Sequence, residues 1–545
     1  MAAIVVAIVF SVSCKKGVSG GNSSDDSTTG SPALYDSMYL YAQQMYLWES
    51  QLTQTITQFN PQQYLNNNDS LGLSNELFAI VKNVKDSAGN YYEYVSGSQN
   101  PKYSYIINTS SELNGGGLSY ARNSSERSST TINDSKGNDL GLFLASDYSP
   151  VDNQTEEWFV WYVNTGSPAQ RIGLRRGDVI DSLNGKSYGF STADQNALND
   201  ILTGDTLSIV TKNLYTGVTK KYPTITKGLY NWNPILKDTV IVSSSYKVGY
   251  LALQAFTDSV SANTYLLQAF HKFDSSGINK LIIDLRYNHG GFVATSHLLA
   301  NLIAPSKDQG KVLYREHYNS NLNRDRSQYT SQLTTLLKAQ EIYGDDGVTP
   351  TGGTYYDYSF KLDDNTYFVD KKGAVDDLGD VCFIVSDETA SASELLINSL
   401  KPYLNVSLIG VYNTQAEYDA KTVRTYGKPV GFFPIHLGKF SIYSPNFYTE
   451  NADGFSNYYD GFLTDANGFD DVTADFASST TSTSAFVVAM QKIIPNYQPL
   501  TTNYSNQQQR LIRINPIQTF NPKRLLIGNI NQSGGIMIGR PRIKH

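Results

Sequence analysis

One stretch constrains this chain more than any other: Val381 to Asn398, VCFIVSDETASASELLIN. Five apolar or β-compatible residues, Val381 to Val385, predict a short buried strand. A polar elbow, Ser386-Asp387-Glu388-Thr389, leads into Ala390-Ser391-Ala392-Ser393-Glu394 and the apolar run Leu395-Leu396-Ile397, which predicts the start of a helix. A strand, a sharp turn and a helix that begins at a serine lift a hydroxyl clear of a sheet, beside the unpaired N–H groups of a first helical turn. Taken alone the pattern also fits a serine that only caps a helix.

Two further stretches decide between these readings. Leu281 to Gly291, LIIDLRYNHGG, is a buried strand followed by Asp284, Arg286, Asn288 and the pair Gly290-Gly291. Downstream, Tyr426-Gly427-Lys428-Pro429-Val430-Gly431 sets one lysine between glycines. In this order the three stretches resemble the S41 family, the C-terminal-processing or tail-specific serine proteases, over roughly 246–475. The resemblance implies a core related to the ClpP/crotonase fold and a Ser–Lys dyad of Ser391 and Lys428. It also implies an oxyanion hole formed by the amides of Gly290 or Gly291 and of Ala392, each donor typically contributing about 3 kcal/mol. A lysine that takes a proton from a serine must be neutral near pH 7, which calls for burial, and its chain neighbours are uncharged. The sequence departs from the family at His289, more often proline, and at Phe432, where many relatives carry a glutamine. A dyad rather than a triad follows.

In front of this region, SPAQRIGLRRGDVIDSLNG (167–185) has the spacing of bacterial PDZ domains. Asn184-Gly185 predicts a hairpin turn, Trp158 to Val163 a strand, Thr192 to Leu202 the helix that walls a peptide groove, and Thr206 to Ile225 a closing hairpin. In that family an extended peptide adds to the sheet edge, which would make Gly141-Leu142-Phe143-Leu144 the loop that holds it. Asp284 and Arg286 read as a strand-end ion pair. Lys247 to Leu251, Ala262 to Phe273 and Leu281 to Leu285 predict a β-α-β unit.

The chain begins with an apolar stretch, Ala2 to Val12, too short to span a bilayer as a helix. Ser11-Val12-Ser13-Cys14 follows, then Lys15-Lys16 and a Ser/Gly/Asp-rich run to Pro32. This resembles a bacterial lipoprotein signal, with Cys14 as the lipidated residue and a flexible tether behind it. Ser11 stands where such signals usually have leucine. Of the two cysteines, the other, Cys382, falls in a strand and reads as a small hydrophobe, so neither a disulfide framework nor a zinc site is expected. Leu34, Met38, Tyr41, Met45 and Trp48 form the stripe of one helix, and 75–85 predicts a second, capped by Ser74.

The fold class that emerges is multidomain α/β. A leader (1–14) and tether (15–32) precede a small helical N-terminal domain (33–139), a PDZ-like β-barrel domain (140–228) and a ClpP/crotonase-like catalytic core (229–495). An extension rich in Asn, Gln and Pro (496–545) ends the sequence. The polar insertion 303–379, with a helix expected at 329–342, reads either as a flap over the cleft or as decoration. A net charge of -7 with no basic stripe argues against nucleic acid as a partner. No phosphate-binding glycine pattern or metal-ligand spacing occurs, so no cofactor is expected. The function expected is an exported serine endopeptidase acting on polypeptides, held at a membrane by a lipid anchor. The rival readings are an inactive PDZ scaffold that binds polypeptide ends and an acyl-CoA enzyme of the crotonase type.

Overall fold

The strand expected at 381–385 runs Asp380–Val385 and lies inside a six-stranded sheet. Across that sheet the strands are Ile235–Ser243, Tyr246–Leu253, Lys280–Asp284, Asp380–Val385, Asn405–Tyr412 and Ala466–Phe469. The first pair is antiparallel and the rest are parallel. Parallel strands bury both faces, which is why these segments are continuously apolar instead of alternating. Val381 and Phe383 point into one core layer, Cys382 and Ile384 into the other. The first layer is covered by the helices Ser259–Ser276, Val293–Ile303 and Ala392–Leu400. The second is covered by the helix Ala485–Ile493 and by Phe143, Trp161 and Tyr162 of the PDZ-like segment. Cys382 sits in this second layer, fully buried, its thiol pushed up to about 12 by burial.

This computed structural model describes residues 32–108, 129–131, 135–149, 151–152, 154–343, 350–373, 375–412, 423–479, 481–499, 526–527 and 536–538. The expected leader, Cys14 and the expected tether up to residue 31 lie outside the described residues.

The β-α-β unit forms as Tyr246–Leu253, Ser259–Ser276 and Lys280–Asp284, with the helix ended by Gly277 at φ 64°. Asn184 and Gly185 both take positive φ, 51° and 75°, and Leu183 and Lys186 exchange both backbone hydrogen bonds around them. That is the two-residue hairpin turn expected of Asn-Gly. The helix Thr192–Leu202 also forms, capped by Ser191 Oγ accepting from the amide of Asp194.

Two expectations shift. The second N-terminal helix is Asp69–Val81, and Asn68, not Ser74, caps it by accepting from the amide of Leu71. Asn68 is the better cap because Asp69 follows it at the positive helix end. Both N-terminal helices, Pro32–Met45 and Asp69–Val81, bury their apolar faces in the same core layer as the six-stranded sheet. The insertion, in turn, builds structure: Val312–Tyr318 pairs antiparallel with Phe447–Asn451, which pairs with Val430–Gly431 just after Lys428. Its helix is the shorter Ser331–Lys338.

Beyond residue 495 the described residues include two short strands. Leu526–Ile527 joins the edge of the PDZ-like sheet, whose order is Leu526–Ile527, Leu142–Tyr148, Glu156–Val163, Val179–Leu183, Ile209–Lys212, Thr219–Lys221. Ile536–Ile538 pairs with Gly290–Phe292.

Candidate active site

Ser391 sits at the junction between the strand Asp380–Val385 and the helix Ala392–Leu400, at φ 64° and ψ -116°. A non-glycine residue there stores about 1–3 kcal/mol of backbone strain and persists only where its surroundings enforce it. The enforcement is visible. Ser386 Oγ donates to the carbonyl of Arg286 at 2.6 Å, and Thr389 Oγ1 donates to that of Leu285 at 2.9 Å. Ser393 Oγ donates to Asn288 Oδ1 at 3.0 Å. The elbow is thus pinned to the strand end that carries the glycine pair. Ser391 is 0% exposed, and its Oγ has no hydrogen-bond partner among the described residues.

Lys428 is likewise 0% exposed. Its Nζ lies 4.4 Å from the ring centre of Phe432 and 5.7 Å from that of Tyr103. Burial lowers its pKa from 10.5 to about 7, against the pull of the Glu93 and Glu394 carboxylates and with help from Lys102. A lysine so placed is neutral for a large part of the time near pH 7, as a general base requires.

Glu394 joins the two residues. Its Oε2 accepts from the amide of Ser391 at 3.0 Å and from that of Lys428 at 2.7 Å. Its Oε1 accepts from the amide of Gly427 at 2.9 Å and from Thr425 Oγ1 at 2.5 Å. One carboxylate oxygen therefore fixes both backbones, and the serine and lysine amides lie no farther apart than those two bonds laid end to end. Ser391 Oγ and Lys428 Nζ are not hydrogen-bonded to each other in this conformation, since Oγ bonds to nothing described. Such bonds are commonly long before substrate arrives.

Of the glycine pair, both have positive φ, 103° and 135°. The amide of Gly290 donates to Asn288 Oδ1 at 2.8 Å within its own turn, whereas Gly291 faces the strand Ile536–Ile538, so Gly291 is the better placed of the two as an oxyanion donor once that strand is away. A side chain at Gly291 would meet the carbonyl oxygen of Phe256 at 2.0 Å, so only glycine fits. Ala392 is the first residue of its helix, where an N–H has no acceptor within the helix.

His289 Nε2 is 3.8 Å from Glu388 Oε2, and burial drives the imidazole pKa down to about 4. Asp284 and Arg286 pair at 2.6 Å, as their strand-end spacing suggests, but the pair extends into a larger buried cluster. Arg286 Nη1 reaches Asp470 at 2.9 Å, Arg176 Nη2 reaches the same carboxylate at 2.5 Å, and the Tyr287 hydroxyl donates to it at 2.5 Å. Arg176 belongs to the PDZ-like segment, so a charge network crosses from that segment to the elbow.

Leu142 and Leu144 turn into the core of the PDZ-like segment, whereas Phe143 turns outward to stack on Tyr162 at 4.4 Å against the catalytic sheet. Gly141 takes φ 66°, and its carbonyl accepts from the amide of Asn164.

The N-terminal segment contributes more than its sequence suggests. Glu93 is buried and accepts from the amides of Tyr103 and Ser104, from Ser104 Oγ and from the Tyr46 hydroxyl. It acts electrostatically on Lys428. The Tyr103 hydroxyl donates to the carbonyl of Gly427 at 2.7 Å, and Tyr105–Asn108 pairs with Phe440–Tyr443. No local pattern in 92–108 signals this role. Glu394, in contrast, was open to reading as the third residue after a capping serine, where a carboxylate meets the serine amide.

Residues 247–435 match the profile of peptidase family S41, and residues 159–198 match that of a PDZ domain. A probable CtpA-like serine protease of Staphylococcus aureus (strain N315) is 24% identical over 245 residues, 45% of this chain and 39% of the relative. A carboxyl-terminal-processing protease of Picosynechococcus sp. is 27% identical over 152 residues, 27% of this chain and 34% of the relative. The aligned region thus spans well under half the length of these curated relatives. A crystal structure of a putative S41 protease from Bacteroides fragilis superposes with a TM-score of 0.50 at 21% identity, covering 84% of this chain and 96% of that one.

Proposed function

From a chain that carries an S41 peptidase domain and a PDZ domain, we propose a serine endopeptidase that cleaves polypeptides near the C-termini of unfolded or exported proteins. The observation that carries this reading is a fully buried Lys428, its pKa lowered to about 7, on a backbone tied to that of Ser391 by one Glu394 oxygen. Ser391 Oγ attacks the scissile carbonyl while Lys428 Nζ takes its proton. The amides of Ala392 and Gly291 receive the oxyanion, acting where the negative charge develops. Collapse of the tetrahedral intermediate expels the amine, which takes the proton from Lys428, and leaves an acyl-Ser391 ester. Water, deprotonated by the same lysine, then hydrolyses the ester.

The layout that goes with this reading is a helical N-terminal part (33–139), the PDZ domain (140–228), the catalytic core (229–495) and an extension (496–545). Within the PDZ domain, Gly141 to Leu144 border the groove that receives peptide. Export and lipidation at Cys14 complete the proposal, placing the protein in a bacterial cell envelope. A mature N-terminus other than a lipid-bearing Cys14 would remove that part.

The test is hydrolysis of an unfolded protein and of a short fluorogenic peptide. The wild-type chain cleaves both, and Ser391→Ala and Lys428→Ala variants cleave neither. A serine-directed fluorophosphonate labels Ser391 in the wild type only. A folded wild-type chain that binds polypeptide without labelling or cleavage would leave the scaffold reading in place.

A further inference from the structure

The two short strands in the extension occupy the two places where a polypeptide would bind. Leu526–Ile527 pairs antiparallel with the PDZ strand Leu142–Tyr148, Leu526 opposite Ala145 and Ile527 opposite Leu144. It lies alongside the helix Thr192–Leu202. This is strand addition at a sheet edge, the mode by which an extended peptide is held through its main chain. Nine residues further on, Ile536–Ile538 pairs parallel with Gly290–Phe292, with Gly290 opposite Ile536, Gly291 opposite Met537 and Phe292 opposite Ile538. That strand is packed against the helix Ala392–Leu400 and the strand Val430–Gly431. It therefore lies among the glycine pair, the helix that starts after Ser391 and the strand that follows Lys428.

We propose that the strands Leu526–Ile527 and Ile536–Ile538 are intramolecular ligands of the two peptide-binding sites, holding the chain in a self-blocked state that a polypeptide substrate must displace. The proposal rests on the peptidase reading above for what is blocked, but not for the occupancy itself.

Three features favour this occupant. The apolar triplets Leu525-Leu526-Ile527 and Ile536-Met537-Ile538 stand out in a stretch otherwise rich in Asn, Gln, Gly and Pro, and each is followed by glycine. Residues 496–545 contain seven Lys and Arg and no Asp or Glu, which leaves residues 1–495 with 36 basic against 50 acidic residues, a formal charge of -14. A basic segment on an acidic body is held by the general field as well as by strand pairing. The order of contacts matters too. The tail meets the PDZ edge first and the cleft second, whereas a substrate whose C-terminal end lay in the PDZ groove would enter the cleft with residues before that end. A ligand threaded in the opposite order fills both sites without presenting an end.

Belonging to the same chain makes the occupancy effective. A segment carried by the chain that holds its sites experiences them at about millimolar effective concentration, so a dilute substrate competes poorly until it engages both sites.

The experiment compares the full chain with one lacking residues 520–545, both in wild-type and Ser391→Ala forms. With Ser391→Ala, a fluorescent peptide of sequence 520–545 binds the shortened chain, and binds the full chain at least about tenfold more weakly because its own segment is in place. A full-length Ile538→Pro, Ile527→Pro variant, in which proline replaces the Ile538 N–H that faces Gly291 and interrupts the strand at the PDZ edge, behaves like the shortened chain even if truncation impairs folding. In the wild-type background the shortened chain cleaves a short peptide at least about tenfold faster than the full chain, and the 520–545 peptide inhibits it competitively. Equal peptide binding by the full, shortened and proline-substituted Ser391→Ala chains would overturn the proposal. So would loss of the segment from the wild-type chain but not from Ser391→Ala, which would make it a substrate instead. Differential binding without any cleavage would sustain the occupancy and remove the peptidase reading.

Discussion

Replacing Lys428 by methionine should stabilise the protein, and by an amount that depends on pH. The ammonium group has been taken out of water, and burial outweighs the attraction of Glu93 and Glu394, so its pKa falls from 10.5 to about 7. That drop corresponds to about 5 kcal/mol between the charged and neutral forms. In the unfolded chain the lysine is charged throughout the neutral range, so folding must release a proton between the two pKa values. With the folded pKa depressed, the penalty is fully present below about pH 7 and fades as pH rises towards 10.5. Integrating the linkage relation gives a cost of about 4 kcal/mol at pH 7 and about 2 kcal/mol at pH 9. Methionine fills nearly the same volume and carries no such penalty, although it forfeits the contact of Nζ with the Phe432 ring, about 1 kcal/mol. Urea unfolding of Lys428→Met and wild type, followed by tryptophan fluorescence from pH 6 to pH 9.5, should show the variant more stable by about 2–4 kcal/mol at pH 7, with the gap narrowing steadily to the alkaline side. A gap that is constant with pH, or a variant less stable than wild type at pH 7, would mean that Lys428 is not a buried amine with a depressed pKa, and the base assignment would fall with it.

Three other outcomes follow from the same geometry. Ser391→Gly should melt higher than Ser391→Ala, by the equivalent of about 1 kcal/mol, because only glycine is at ease at φ 64° and ψ -116°; equal melting temperatures would show that the elbow is unstrained. Glu93→Gln should move the acid limb of the kcat/KM profile to lower pH, since the Glu93 carboxylate holds the Lys428 pKa up; a shift to higher pH would reverse the electrostatic assignment. Arg176→Met leaves Asp470 with one fewer buried partner and should cost about 3–5 kcal/mol of stability, while also lowering kcat for a short peptide that never touches the PDZ domain.

Much of the catalytic layer could be read from the sequence because its signals are local. A buried strand running into Ser391, a glycine pair after Asn288 and an Asn-Gly turn at 184–185 each carry their geometry in a few adjacent residues. What escaped was set by contacts between distant segments. Glu93 is far from Lys428 in the chain, and nothing in Tyr92-Glu93-Tyr94 distinguishes a carboxylate buried beside a lysine from one on a loop. The strand Val312–Tyr318 looked like part of an insertion because its pairing partner, Phe447–Asn451, begins more than a hundred residues later. The extension was read by composition, and composition averages away two triplets of apolar residues. The displaced cap of the second helix is a smaller error of the same kind: Ser74 and Asn68 are both good caps, and the burial of Leu73 decides that position 73 lies inside the helix.

The charge cluster under the elbow ties these parts into one device. Arg176 of the PDZ domain and Arg286 of the catalytic core share a single carboxylate oxygen of Asp470. Two cations on one oxygen are tolerable only while the surrounding acceptors hold: Asp284 on Arg286, and the carbonyls of Trp161, Asp471 and Ala474 on Arg176. A rotation of the PDZ domain that withdraws Arg176 would take from Asp470 one of its two guanidinium partners, and with it the Trp161 Nε1 donor at 3.3 Å. The carbonyl of Arg286 also accepts the Ser386 hydroxyl that anchors the elbow. A change at the domain boundary is thus three bonds from the segment that strains Ser391.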